Sequence, residues 1–305
     1  MSVAFLFPGQ CSQSVSMGQD LYDQDELYRN TIEEASNALG YNLWDIIVEN
    51  TDDKLNQTQF TQPALLATSI ALYRCYLSKG GERPTVLSGH SLGEYSALVA
   101  SGALSFVDGL KLVSARGQFM QSAVPVGEGA MAAVLGLSLD DIRAVCSTSE
   151  GLVEAANINA PGQIVIAGSK SAVVNILPLM KDAGAKRAIE LPVSVPSHCE
   201  LMKPAAKELA LMLEGVNLSE PEIDVVHNVT AAPSGSVDDI KKLLIEQLYS
   251  PVRWVDCVEK LKDYGVDSLV ECGPGKVLSG LVKRIDRSLS CSSLNSVGSM
   301  SELVN

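Results

Sequence analysis

Thr85-Val86-Leu87-Ser88-Gly89-His90-Ser91-Leu92-Gly93-Glu94-Tyr95-Ser96-Ala97-Leu98-Val99-Ala100 decides the fold of this chain. The first four residues, started by Pro84, read as a short buried strand, and the residues from Glu94 read as a helix opening. Between them stands Gly-x-Ser-x-Gly. A strand that turns sharply into a helix lifts the middle serine, Ser91, clear of the backbone. The two glycines permit the turn, because a Cβ there would meet the neighbouring backbone. The free N–H groups of a helix start can hold a developing oxyanion. Average glycine and serine usage gives the five-residue pattern by chance in roughly one chain in ten of this length. The strand before it and the helix after it are what turn a glycine-rich bend into a candidate nucleophile.

Working outward, the N-terminal part alternates strands and helices. Val3 to Phe7 is a near-continuous apolar strand ending at Pro8-Gly9. Glu26 to Leu39 is helical, and Leu43 to Ile47 is a short amphipathic piece. Gln62 to Leu77 is a long apolar helix with Pro63 in its first turn. Ser105-Phe106-Val107-Asp108 is a capping box that opens a helix to about Ser122. Such alternation implies a parallel sheet covered on both faces.

Residues 127–192 follow another rhythm. Strands are expected at 130–135, 153–158, 163–167 and 186–191, with helices capped by Ser138 and Ser169 after the first and third. The order β-α-β-β-α-β is that of a ferredoxin-like unit. The α/β pattern then resumes, with strands at 223–226 and 266–272. The expected fold is therefore α/β, a parallel-sheet, hydrolase-like catalytic domain (1–126 and 193–305) with an inserted ferredoxin-like subdomain (127–192). A cleft between the two units is the expected ligand site. Residues after about 290 have few apolar periodic positions and are expected to be partly disordered.

The 305 residues are 46% hydrophobic and 19% charged, with no apolar run of membrane-spanning length. The start of the chain reads as a strand rather than a signal peptide. Seven scattered cysteines without metal-binding spacing predict a reduced, cytoplasmic protein with no structural metal. The net charge of −13 argues against nucleic acid and anionic membranes as partners. An acidic protein partner would need a local basic patch.

The chain has three histidines, so the search for a base is short. His90 adjoins Ser91 and points to the opposite side. His227 lies in the apolar run Val225-Val226-His227-Asn228-Val229 and reads better as a satisfied sheet histidine. His198 follows Ser197, which forms a capping box with Glu200. That predicts His198 in the first helical turn, where the positive helix end favours neutral imidazole. A surface histidine at a helix start fits the same residues equally well. No acid stands out as a third triad member: Asp140, Asp141 and Asp182 are better explained by capping and solvated surface, so a Ser–His dyad is the leaner expectation. Arg116 could grip a substrate carboxylate, with Gly117 allowing close approach, although an exposed helix arginine fits as well.

Phe7-Pro8-Gly9-Gln10-Cys11-Ser12-Gln13, Thr61-Gln62-Pro63-Ala64-Leu65, Gly89-His90-Ser91-Leu92-Gly93-Glu94, Val195-Pro196-Ser197-His198 and Gly273-Pro274-Gly275 occur in this order. This ordered set, over nearly the whole chain, resembles the bacterial malonyl-CoA:acyl carrier protein transacylases of type II fatty acid synthesis. The resemblance implies ping-pong transfer of a malonyl group through Ser91 with His198 as base. It implies an oxyanion hole from the N–H groups of Gln10 and Leu92, and a carboxylate clamp at Arg116. It also implies that the carbonyl of Gln247 orients His198, and that Gln62 and Asn157 line the pocket. Malonyl-CoA and acyl carrier protein are then the partners. No bound cofactor and no metal are expected, since CoA and phosphopantetheine arrive with the substrates, and the enzyme is expected to be monomeric.

Lys276, Lys283, Arg284 and Arg287 could form a docking patch for the acidic carrier, though a solvated helix face fits them about as well. One departure is Cys11, where the family pattern has a second glycine. If that position needs positive φ, Cys11 is strained and the loop slightly altered; Cys11 could also be an oxidisable thiol beside the site. A serine esterase or thioesterase of the Gly-x-Ser-x-Gly type is the first rival reading, and a non-catalytic carrier-docking module the second.

Overall fold

A computed structural model describes residues 2–193 and 195–304. The chain runs β1 (Val3–Phe7), α1 (Gln19–Gln24), α2 (Glu26–Leu39), α3 (Leu43–Glu49), α4 (Thr58–Ser78), β2 (Val86–Gly89), α5 (Gly93–Ala100) and α6 (Phe106–Ala123). It continues through β3 (Gly129–Leu135), α7 (Leu139–Cys146), β4 (Val153–Ala160), β5 (Gln163–Ser169), α8 (Lys170–Asp182) and β6 (Arg187–Glu190). It returns through α9 (Lys203–Glu214), β7 (Asp224–Val226), α10 (Val237–Gln247), α11 (Trp254–Leu261), β8 (Ser268–Cys272), α12 (Val277–Ile285), β9 (Cys291–Leu294) and α13 (Val297–Val304).

The larger sheet is parallel throughout, in the order β7-β2-β1-β8-β9. Its central strand β1 is apolar at every position because both of its faces are covered. Phe5 and Phe7 pack with Leu65, Leu92 and Leu112 on one side. Ala4 and Leu6 pack with Trp254, Leu278 and Leu281 on the other. The smaller sheet is antiparallel, order β4-β5-β3-β6, which is the ferredoxin-like arrangement. One face of it closes over α7 and α8 through Ile142, Ile166, Val173 and Ile176. Ser138 and Asp141 make the reciprocal capping box that opens α7. Ser169 stands at the start of α8 without a side-chain bond. The other face, with Met131, Ala156 and Val165, meets Cys199 of the large unit.

Three local expectations are corrected. Helix α4 starts at Thr58, so Pro63 lies inside it rather than in its first turn. The polar opening Thr58-Gln59 has no apolar period; part of what organises it is Thr61 Oγ1, bonded to the Leu55 and Gln57 carbonyls at 2.6 and 3.0 Å. Residues after 290 are ordered as far as Val304: β9 pairs with β8, and Val297 N–H donates to Asp20 at 2.7 Å. Asn305 lies outside the described residues. An edge strand reading Cys-Ser-Ser-Leu carries no pattern of its own and is held by its partners. His198 is not in a helical turn. Its φ is +63°, and the helical path begins only at Glu200, continuing into α9. The Ser197–Glu200 capping box does not form: the Glu200 carboxylate pairs with Lys203 at 2.6 Å.

Candidate active site

The turn from β2 into α5 is as tight as its glycines suggest. A Cβ on Gly93 would stand 1.9 Å from the Phe7 carbonyl oxygen of β1, and one on Gly89 would stand 1.9 Å from the Gly93 carbonyl carbon. Ser91 takes a left-handed φ of +52°, a costly conformation for a side-chain-bearing residue. Three bonds hold it there. Asn228 Oδ1 accepts from the Ser91 N–H at 2.7 Å, and Asn228 Nδ2 donates to the Gly89 carbonyl at 2.7 Å. Gln247 Nε2 donates to the Ser91 carbonyl at 2.9 Å.

His198 Nε2 lies 2.7 Å from Ser91 Oγ, and its Nδ1 lies 2.7 Å from the main-chain carbonyl of Gln247. A carbonyl can only accept, so Nδ1 carries the proton and Nε2 is left to accept from the serine. The His198 N–H also donates to the Leu248 carbonyl at 3.0 Å. Burial, then the charge of Arg116, push the imidazole pKa down to about 3, against the opposing pull of the Gln247 carbonyl. Neutrality of this base thus comes from burial and a neighbouring cation, not from a helix terminus.

Arg116 is fully buried in α6. Its two terminal nitrogens donate to Gln62 Oε1 and Gln247 Oε1, each at 2.9 Å, and the second also reaches Ser91 Oγ at 3.4 Å. Its Nε has no partner among the described residues, and its carbon sits 5.3 Å from the Tyr95 ring centre. No carboxylate lies within ion-pair distance of it among the described residues. Gly117 brings α6 close to α4: a Cβ there would lie 2.6 Å from Gln59 Cα and 2.8 Å from the Thr58 carbonyl oxygen.

Ser91 and His198 border a cavity of about 600 Å³ lined by both units, with Gln10 from the large one and Met131, Asn157 and Leu191 from the small one, while Arg116, Gln62 and Gln247 are fully buried behind that lining. The N–H groups of Gln10 and Leu92 donate to no acceptor among the described residues. Gln62 is fully buried, with Nε2 3.4 Å from Gln10 Oε1. Asn157 Oδ1 has no partner among the described residues. Cys11 has φ +77°, so the residue that replaces glycine does occupy left-handed space. It is exposed at the cavity mouth, yet partial burial raises its thiol pKa, which works against easy oxidation.

Lys276, Lys283, Arg284 and Arg287 are exposed on and around α12, and Arg284 donates to Gln163 at 2.7 Å. His90 turns to Asn159 at 2.8 Å, with its ring 5.3 Å from that of Trp254. His227 sits just past β7 and meets Glu94 at 2.8 Å through Nδ1, while Nε2 has no partner among the described residues, which satisfy only half of the ring. Sequence reasoning missed Asn228, Glu94 and the side chain of Gln247. The available signal was a single polar residue inside an otherwise apolar stretch, as Glu94 is before Tyr95-Ser96-Ala97-Leu98.

A serine braced at a strand-to-helix elbow, a neutral imidazole on its hydroxyl and a parallel sheet beneath make this an acyl-transferring serine enzyme. The chain belongs to the acyl transferase domain family, whose model matches residues 4–303. It is 50% identical to the malonyl CoA-acyl carrier protein transacylase of Haemophilus influenzae over 97% of this chain and 96% of that one. It is 49% identical to the protein of the same name from Bacillus subtilis over 94% and 91% of the two chains. Among solved structures it resembles the Coxiella burnetii transacylase, with TM-score 0.98, 44% identity and coverage of 100% and 97%. It also resembles a malonyl-transacylase in complex with its type II PKS acyl-carrier protein, with TM-score 0.98, 46% identity and coverage of 100% and 99%.

Proposed function

We propose that this enzyme moves the malonyl group of malonyl-CoA to the phosphopantetheine thiol of acyl carrier protein through a malonyl ester on Ser91. Ser91 Oγ attacks the thioester carbonyl while His198 Nε2 takes its proton. The tetrahedral oxyanion is held by the N–H groups of Gln10 and Leu92, each worth about 3 kcal/mol of barrier. CoA leaves as its thiol, taking the proton from His198. The carrier thiol then enters, gives its proton to His198 and takes the malonyl group, restoring Ser91. Gln247 keeps His198 in the Nδ1–H tautomer, Asn157 lines the acyl pocket, and Gln62, expected there from the sequence, instead supports Arg116 from behind it. We place the unit boundaries at 127 and 192, and read the enzyme as a cytoplasmic monomer that needs no resident cofactor.

The observation that carries this reading is Arg116, a buried cation without a carboxylate partner among the described residues, 3.4 Å from the nucleophile. That is where the free carboxylate of a malonyl ester would lie, and a neutral acyl group has no use for it. The test is intact-mass spectrometry after mixing with malonyl-CoA. A malonyl adduct on Ser91, removed on adding carrier protein, is expected. No adduct would leave only a docking module. Rapid malonyl-CoA hydrolysis that carrier protein does not accelerate would favour the esterase. The docking patch is tested by charge reversal at Lys283 and Arg284. An unchanged KM for carrier protein would place docking elsewhere.

A further inference from the structure

Glu94 is a buried acid to which none of these steps gives a role. Its Oε2 accepts from the Asn228 N–H at 2.9 Å and from Gln247 Nε2 at 3.0 Å, and its Oε1 faces His227 Nδ1 at 2.8 Å. Gln247 Nε2 also meets the Ser91 carbonyl at 2.9 Å and Asn228 Oδ1 at 3.5 Å. Every neighbour of that nitrogen is an acceptor, so the amide has one workable orientation. Its oxygen is therefore turned to Arg116, 2.9 Å away. A carboxylate bonded directly to Arg116 would occupy the donors that a substrate carboxylate needs. A carboxylate one amide further away lowers the penalty of a buried cation and leaves those donors open.

We propose that Glu94 is a positioning residue for acyl selection, locking the Gln247 amide with its oxygen toward Arg116 and so holding the guanidinium, unblocked, beside Ser91. The inference rests on the malonyl reading of the site. Glu94→Gln replaces an obligate acceptor by a group that can present N–H to Gln247, freeing the amide to turn and push Arg116 away.

The experiment compares formation of the Ser91 ester from malonyl-CoA and from acetyl-CoA in the full-length protein, by rapid quench and intact mass. Losing one charge-assisted bond to the guanidinium predicts that the malonyl-to-acetyl ratio falls about tenfold in Glu94→Gln, the acetyl loss that follows from the weakened Gln247–Ser91 contact being smaller than the malonyl loss. In a Gln247→Met background the same change should leave the ratio where Gln247→Met alone puts it. An unchanged ratio, equal losses for both acyl groups, or a further drop in that background overturns the relay. If Glu94→Gln does not fold, Glu94→Asp, which withdraws the carboxylate by one methylene, decides by the same ratio: selective malonyl loss supports the relay and equal loss overturns it. Wild-type protein that forms no malonyl ester overturns the functional reading and this inference with it. Wild type that forms the ester beside an unaltered variant ratio overturns this inference alone.

Discussion

Arg116→Met is the substitution whose outcome the site geometry constrains most tightly. The guanidinium is anchored by Gln62 and Gln247, reaches Ser91 Oγ at 3.4 Å and has an unused Nε. A malonyl carboxylate taking two charge-assisted bonds from it gains about 1.5–3 kcal/mol each, or roughly 3–6 kcal/mol in all. At 1.36 kcal/mol per decade, losing both lowers kcat/KM for malonyl-CoA by about 10²–10⁴. Acetyl-CoA loses no bond. The Arg116 charge pushes the His198 pKa down, but burial is the larger cause, so the imidazole stays neutral near pH 7 without it. Acetyl acylation should therefore fall less than about tenfold, most of it through the two glutamine oxygens left without a donor. Rapid-quench acylation with both thioesters, on protein whose fold is verified by near-UV circular dichroism, gives the ratio. Equal losses for the two acyl groups, or a malonyl rate within threefold of wild type, would refute the assignment of Arg116 to carboxylate recognition.

Other perturbations have outcomes as definite. His198 has a folded pKa of about 3 and an unfolded value near 6.5, so the unfolded state binds more protons between those limits. Stability is unaffected above pH 6.5 and falls as pH drops below it, by up to about 1.4 kcal/mol per unit. Urea midpoints from pH 7.5 to 4.5 should fall more steeply in wild type than in His198→Gln, and parallel slopes would contradict the assigned cause. Cys11→Gly relieves a left-handed backbone at φ +77° and should raise stability by about 0.5–1 kcal/mol, net of the added unfolded-state entropy. A lower Tm would show that the thiol contributes more than its backbone loses. Gly117→Ala sets a methyl 2.6 Å from Gln59 Cα and must push α6 from α4, costing about 1–3 kcal/mol and moving Arg116. Its Tm should fall, and malonyl acylation should suffer more than acetyl; an unchanged Tm would mean that the helices separate freely.

Much of the fold is legible because its signals are local. The apolar run of β1, the glycine spacing at the elbow and the serines at 105 and 138 can each be recognised within a few positions of sequence, even where what they pack against, as Gly93 does on Phe7, is distant. The ferredoxin-like unit is readable for the same reason, as alternating strands and capped helices complete in one stretch of chain. The failures arise where distant residues decide. Strand β9 exists because β8 offers it a ladder. His198 reaches Ser91 from a left-handed loop residue whose N–H is held by Leu248, fifty positions further on. Glu94 and Asn228 look like minor polar interruptions in apolar segments. Their meaning depends on Gln247 arriving from the end of α10. A pair of groups can be named from sequence, but the network that orients them is a property of the folded chain.

That network also bears on why the acyl group goes to a thiol and not to water. In a hydrolase triad a carboxylate stabilises the imidazolium that forms as the nucleophile is deprotonated. Here the partner of Nδ1 is a neutral carbonyl, and Arg116 opposes any positive charge on the ring. The imidazole is consequently a weak base and its protonated form a strong acid. A strong acid suits return of the proton to a departing thiolate. A weak base copes with a thiol of pKa about 8.5; the far less acidic Ser91 hydroxyl reacts because it is already held 2.7 Å from Nε2, a fixed contact that an incoming water lacks. The malonyl ester should therefore survive in water for far longer than in the presence of a carrier thiol, with no gate needed to exclude solvent. If the isolated ester hydrolyses as fast as the carrier removes it, the weakness of the base is not what protects it.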